Sequence, residues 1–92
     1  MSALLEKGKA FGPYGRFRID VFHLEAERQV RATVFDAETP DSRGYAGPIH
    51  SLDLDIPAGV RDLRTLQAHA RNQCRVELTG LPQWAEAQRE DD

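Results

Sequence analysis

From residue 14 to residue 24 the chain alternates strictly. Phe17, Ile19, Val21 and His23 fall on one face, and Arg16, Arg18, Asp20, Phe22 and Leu24 fall on the other. A period of two, rich in aromatic and β-branched residues, predicts a strand. Residues 25–28 are a polar turn. Alternation then resumes, with Val30, Ala32 and Val34 on one side and Arg31, Thr33 and Phe35 on the other. Two such runs joined by about four residues predict a hairpin. If Leu24 and Gln29 close the turn, the apolar faces coincide, Phe22 falls opposite Arg31, and Arg18 falls opposite Phe35.

Residues 37–48 are dense in Pro, Gly, Asp and Ser, which predicts an exposed loop. Residues 49–56 (IHSLDLDI) then alternate, Leu52, Leu54 and Ile56 inward and Ser51, Asp53 and Asp55 outward, predicting a third strand. From Val60 the period changes. Val60, Leu63, Leu66, Ala70, Cys74 and Leu78 recur at steps of three and four, the stripe of an amphipathic helix. Its start falls within 57–62, with Asp55 or Asp62 as the cap. Its end is marked by Thr79-Gly80-Leu81-Pro82, where glycine suits a left-handed cap and proline stops propagation. CRVELT also alternates and offers a competing strand; the cap signal favours the helix. Residues 83–88 add a turn with Trp84 against the core. The predicted fold is α+β: a three-stranded antiparallel meander with one long C-terminal helix on one face, βββα.

A length of 92 residues bounds this to a single domain, 1–92, with 1–13 an irregular lead-in and 89–92 an acidic tail. No apolar run reaches the roughly 18 residues of a membrane span. MSALLEKGKAF lacks the apolar centre of a secretion signal. The single cysteine allows no intrachain disulfide and no cysteine zinc site, which fits a cytoplasmic protein. The net charge of −3 conceals segregation, because 1–35 and 60–80 are base-rich while 36–59 and 81–92 are acid-rich. Affinity for nucleic acid rests on phosphate contacts, so the overall charge argues against it while the local arginines keep it open.

Several chemistries are excluded by spacing. The glycines at 8, 12 and 15 invite a phosphate loop, but Lys9 precedes the turn, Pro13 interrupts it, and a strand follows where a helix is required. His23, His50 and His69 are scattered and share no zinc-type spacing. His50 and Ser51 are neighbours on one strand and point to opposite faces, so they cannot form a dyad. Cys74 lies on the apolar stripe and reads as a buried inert thiol. Asp53 and Asp55 share a strand face and could touch one divalent ion; the plainer reading makes them partners of Arg16, Arg18 and Arg31. No catalytic residue, cofactor or metal is implied.

Two surfaces remain. The sheet face away from the helix carries Phe22, Leu24 and Phe35 among Arg16, Arg18 and Arg31. Contiguous apolar groups mark protein interfaces, aromatics beside arginines are how RNA-reading sheets stack bases, and Trp84, Leu4 and Leu5 could instead fold over this face. The basic-glycine-aromatic signature of RNA-recognition strands cannot be aligned to PYGRFRIDVF. The second surface is a helix flank on which Arg61, Arg64, Arg71 and Arg75 span about 80° of an ideal wheel. It suits solvent first, an acidic partner surface next, and phosphate last.

The ending LTGLPQWAEA, with Leu78, Leu81, Pro82, Trp84 and Ala85, resembles that of small uncharacterised proteins of phage and prophage tail regions. The resemblance extends in layout over residues 14–88, although the helix here is far richer in arginine. It implies a virion or assembly role and supplies no catalytic residues. The expectation is therefore a non-enzymatic protein–protein interaction protein, a tail or assembly component in the cytoplasm or virion, engaging a partner protein or copies of itself as a homo-oligomer. The alternative is a small nucleic-acid-binding regulator using the arginine and aromatic sheet face. No membrane partner is expected.

Overall fold

Two residues before the predicted first strand, the chain has already completed another. In the computed structural model, which describes residues 2–90, β1 (Ser2–Phe11) pairs antiparallel with β2 (Phe17–Leu24). The expected irregular lead-in over 1–13 is thus mostly strand, and the meander has four strands. Two bulges explain why the alternation is not visible in the sequence. Leu4 faces Phe22 while Glu6 faces Val21, and three residues from Glu6 to Lys9 span two from Val21 to Ile19. Each extra residue reverses the facing of everything after it. Gly8 absorbs the second bulge at φ 59°. With Lys7 and Lys9 beside it, this irregular edge is poorly suited to pairing with another sheet.

A short 3₁₀ turn, Pro13–Gly15, leads into β2. The hairpin from β2 to β3 (Gln29–Pro40) has the register its alternation predicts: Leu24 faces Gln29, Phe22 faces Arg31, and Arg18 faces Phe35. The segment expected to be a loop at 37–48 is instead a finger. β3 continues to Pro40 and β4 (Ala46–Asp55) starts at Ala46, so the two strands run on past the sheet body. At its tip, the Asp41 carboxylate accepts the Arg43 amide (2.9 Å) and the Tyr45 amide (3.1 Å), which closes the turn. The sheet order is β1-β2-β3-β4 throughout.

Helix α1 (Arg64–Leu78) begins later than the expected 57–62. The N-cap position is Leu63, which makes no side-chain cap bond; just ahead of it Asp62 Oδ1 accepts the Arg64 amide at 2.9 Å. Val60 and Leu63 therefore precede the helix, and Val60 is exposed. The predicted stripe holds for Ala70, Cys74 and Leu78, all buried. CRVELT is helical up to Leu78. Gly80 does not adopt the left-handed conformation expected of it. The chain turns through successive i→i−3 bonds, Gly80 N–H to the Glu77 carbonyl (3.2 Å) and Leu81 N–H to the Leu78 carbonyl (2.9 Å). Pro82 then opens α2 (Pro82–Glu90), as proline can where no helical N–H is needed. One long helix thus becomes two. Of the expected acidic tail at 89–92, residues 89 and 90 close α2, and 91 and 92 lie outside the described residues.

The fold is α+β, with both helices on one face of the antiparallel sheet. Phe17, Ile19, Val21, Val30, Ala32 and Val34 from β2 and β3 pack against Ala70, Cys74, Leu78 and Ala87. Each large side chain in this set contributes about 1.5–3 kcal/mol by leaving water. Trp84 stacks on Phe17 at 5.8 Å between ring centroids, and Phe11 meets the same ring at 6.0 Å. This aromatic row joins α2 and β1 to the centre of the sheet.

Candidate functional site

The open sheet face carries fewer available charges than its sequence suggests. Arg31 forms two parallel bonds to the Asp53 carboxylate across β3 and β4, Nε to Oδ1 at 2.8 Å and Nη2 to Oδ2 at 3.1 Å. That fork holds the Asp53 carboxyl below the usual carboxylate range. Asp55 accepts from the Gln29 amide at 3.0 Å, and Thr33 meets Ser51 at 3.3 Å. Asp20 accepts the Gly8 amide at the β1 bulge, and Arg18 reaches the Gly8 carbonyl at 3.4 Å. Phe22, Leu24 and Phe35 do lie on this face, half-buried. Leu4 lies beside Phe22 in the neighbouring strand and stays exposed, while Leu5 packs toward the core. Phe22 and Phe35 are two rows apart, with Asp20 and Thr33 in the row between them, so Phe35 is cut off from the small apolar group of Leu4, Phe22 and Leu24.

Arg16 is not on that face. It precedes β2, is 8 % exposed, and reaches the helix side, where its Nε and Nη2 bond the two oxygens of the fully buried Asp36 at 2.8 and 3.0 Å. Glu86 of α2 lies 3.7 Å away. Burial pushes the Asp36 carboxyl up, but the bonds from Arg16, the Thr39 hydroxyl and the Glu38 amide outweigh it and hold the group below its ordinary value. This is a structural clamp among β2, β3 and α2.

The helix arginines also divide. Arg61 lies ahead of α1 and lines a separate cleft with His23, Glu25 and Arg28. Arg64 is the first helical residue and is exposed. Arg71 donates from Nη1 to Glu6 Oε1 on β1 at 2.8 Å, and Lys9 Nζ stands 3.9 Å from the same oxygen. Arg75 is exposed and has no ion pair among the described residues.

Arg75 is the pivot of a groove. On one side, between β1 and α1, lies a cleft of about 210 Å³ lined by Lys9, Phe11, Ile19, Arg71, Asn72 and Arg75. On the other, a shallower cleft of about 320 Å³ is lined by Asn72, Arg75, Val76, Thr79 and Trp84. Asn72 and Arg75 line both, so the two clefts adjoin across α1 between the β1 edge and α2. Val76 is 65 % exposed within it. The sequence reading found Arg71 and Arg75 but missed Lys9, Phe11, Asn72 and Val76. The first two belong to the hidden strand. Val76 was legible, as an apolar side chain off the buried stripe and between two charged neighbours.

The remaining candidates are accounted for by packing. Cys74 is buried, and burial, aided by the Glu77 carboxylate, pushes its thiol up to about 11. His50 Nε2 lies 3.0 Å from Glu77 Oε1, tying β4 to α1. Among the described residues, no three His, Cys, Asp or Glu side chains gather as a metal ion would require, and no helix is long and apolar enough to cross a membrane. The motif Leu78, Leu81, Pro82, Trp84, Ala85 builds the corner between α1 and α2, with Leu78 in the core and Trp84 on Phe17. Comparison of the chain with models of known protein families, with curated proteins and with solved structures found no match.

Proposed function

We propose that the protein is a non-enzymatic interaction protein that holds an acidic, partly apolar segment of a partner protein in the groove across α1. One observation carries this reading. Arg75 has no acidic partner among the described residues, and it stands between the exposed Val76 with Trp84 on one side and Lys9 with Phe11 on the other. Cations interleaved with solvent-facing apolar groups, on a chain of net charge −3, are a local departure that charge complementarity explains. Arg and Trp are also the residue types that dominate binding energy at protein interfaces.

The sheet face supports the nucleic-acid alternative less well, because Arg16 is buried against Asp36 and Arg31 is committed to Asp53. A virion tail or assembly complex is one setting for such a module. In the ending that suggests it, Leu78, Leu81 and Trp84 are used in packing the helical corner, and the proposal does not depend on that setting.

Trp84 is the only tryptophan, so its emission reports on the groove directly. A peptide alternating Glu or Asp with Leu and Phe should give a saturable change that weakens with added salt. The exposed substitutions Arg75→Glu and Val76→Asp should abolish it while leaving the fold intact. Unchanged binding in both variants would sink the proposal. Salt-sensitive binding of a single-stranded oligonucleotide, with none of the peptide, would favour the alternative. A concentration-dependent change without any peptide would assign the groove to a second copy of the chain.

A further inference from the structure

We infer that the β1–α1 half of the groove is a discrete site for one carboxylate carried on an apolar body, with Arg75, Arg71 and Lys9 as its cationic ligands and Phe11 as its floor. The inference rests on the reading of the groove as a binding surface and names the group that this end of it takes. At about 210 Å³ the cleft is smaller than the roughly 300–1,000 Å³ that encloses a drug-sized ligand, so it holds a single small group and not a length of chain.

The charge of the cleft is unbalanced. Three cations line it, and among the described residues Glu6 is the one carboxylate bonded to them, through Arg71 at 2.8 Å with Lys9 at 3.9 Å. Glu6 also shows what these cations accept, since it is an internal carboxylate already seated at their edge. The Arg71 guanidinium carries five donors in a planar fork, and its bond to Glu6 is made through Nη1. Arg75 and the Asn72 amide face the same space with no acid beside them among the described residues. A second carboxylate entering between Arg71 and Arg75 would meet forked donors from two sides, the geometry in which arginine binds carboxylates most strongly.

The floor selects among anions. The part-exposed Phe11 offers apolar surface below the cations, with the buried Ile19 behind it, and an inorganic anion gains nothing from it. A carboxylate with an aromatic or branched aliphatic body gains both terms. The chemistry is that of a small aryl or alkyl acid, whether free or as the side chain and apolar neighbour of a docked peptide.

The test is an amide chemical-shift titration of the full chain with phenylacetate, acetate and inorganic phosphate at equal ionic strength. Phenylacetate should saturate, with the largest shifts at Lys9, Phe11 and Asn72, and should bind at least about tenfold more tightly than the other two, the gain of burying its ring. Arg75→Ala should remove the saturation, and Arg64→Ala should not. Indistinguishable titrations for the three anions would show general charge screening and overturn the inference, as would phenylacetate binding unaffected by Arg75→Ala. If phenylacetate fails while the acidic peptide still moves Trp84 emission, the carboxylate site alone is lost. If both fail, the groove reading falls with it.

Discussion

Arg16 and Asp36 face one another from opposite sides of the β2–β3 pair, joined by two parallel bonds of 2.8 and 3.0 Å, with the aspartate fully out of solvent. A buried pair of this kind contributes little over an apolar substitute, but removing one partner strands the other. Arg16→Ala and Asp36→Ala should each lower stability by about 3–5 kcal/mol in denaturant unfolding. The exposed pair Arg31 and Asp53 offers the contrast, and Arg31→Ala should move the midpoint far less. Equal effects at the two sites would refute the assignment of Arg16 to the interior.

The same pair sets an acid limit. The Asp36 carboxyl is held below its ordinary value of 3.8 in the folded chain, so its contribution is complete above that pH. It disappears as pH falls below 3.8 toward the folded value, because the unfolded carboxyl then takes up a proton first. Unfolding free energy measured from pH 6 downward should therefore drop steeply below about 4, and less steeply in Asp36→Asn, which has no such proton to bind.

Two glycines should resist substitution for different reasons. Gly12 sits at φ 81°, and a Cβ there would stand 2.7 Å from Cδ2 of Phe17 with Trp84 close behind. Gly47 has an ordinary φ, but its Cβ would collide with the Thr39 backbone carbonyl in the finger. With ψ at −179°, Gly12 occupies a backbone region essentially open only to glycine, so Gly12→Ala should destabilise the fold by about 1–3 kcal/mol before any clash. Gly47→Ala should act on the finger, seen as faster amide exchange at 37–46. Gly44→Ala at the tip, where nothing lies within 4 Å, meets only the cost of its φ of 86°.

Trp84 holds α2 to the sheet through its stack on Phe17. Trp84→Ala should cost about 3 kcal/mol and loosen Ala87 from the core, with increased amide exchange across α2 and little change in β3 and β4. Trp84→Phe should recover most of the loss.

Cys74 should be slow to alkylate. Its thiol is raised from 9.0 to about 11, which lowers the thiolate fraction at pH 8 about a hundredfold, and burial blocks access as well. Iodoacetamide should modify it only on unfolding, so the rate serves as a probe of α1 opening. Rapid labelling of the native chain would contradict its place in the core.

The readable parts of the fold were those where a local rule had no competitor. Residues 17–24, 29–36 and 49–55 show the two-residue period because one face of each is buried and the other is wet. The Leu24–Gln29 closure follows from matching the apolar faces across a short turn. In α1 the spacing of Ala70, Cys74 and Leu78 records the single sheet beneath it. Strand β1 was illegible because its two bulges break the period that reveals a strand, and its pairing is supplied by β2. The finger was illegible because turn-forming residues dominate 37–48, while strand pairing past Gly47 overrode them.

The candidate site divides in the same way. The sequence by itself determined that the class is α+β, which residues form the inner faces of the central hairpin, and that arginines accumulate on α1. These follow from periodicity and composition, which act over neighbouring residues. Only the tertiary structure decided which arginines remain available. Arg16 meets Asp36 across a strand pair, Arg31 meets Asp53, and Arg71 meets Glu6 from 65 positions away, whereas Arg75 is left beside Lys9 and Phe11. A charge is engaged or free according to what stands within a few ångströms of it, and the fold alone sets those distances.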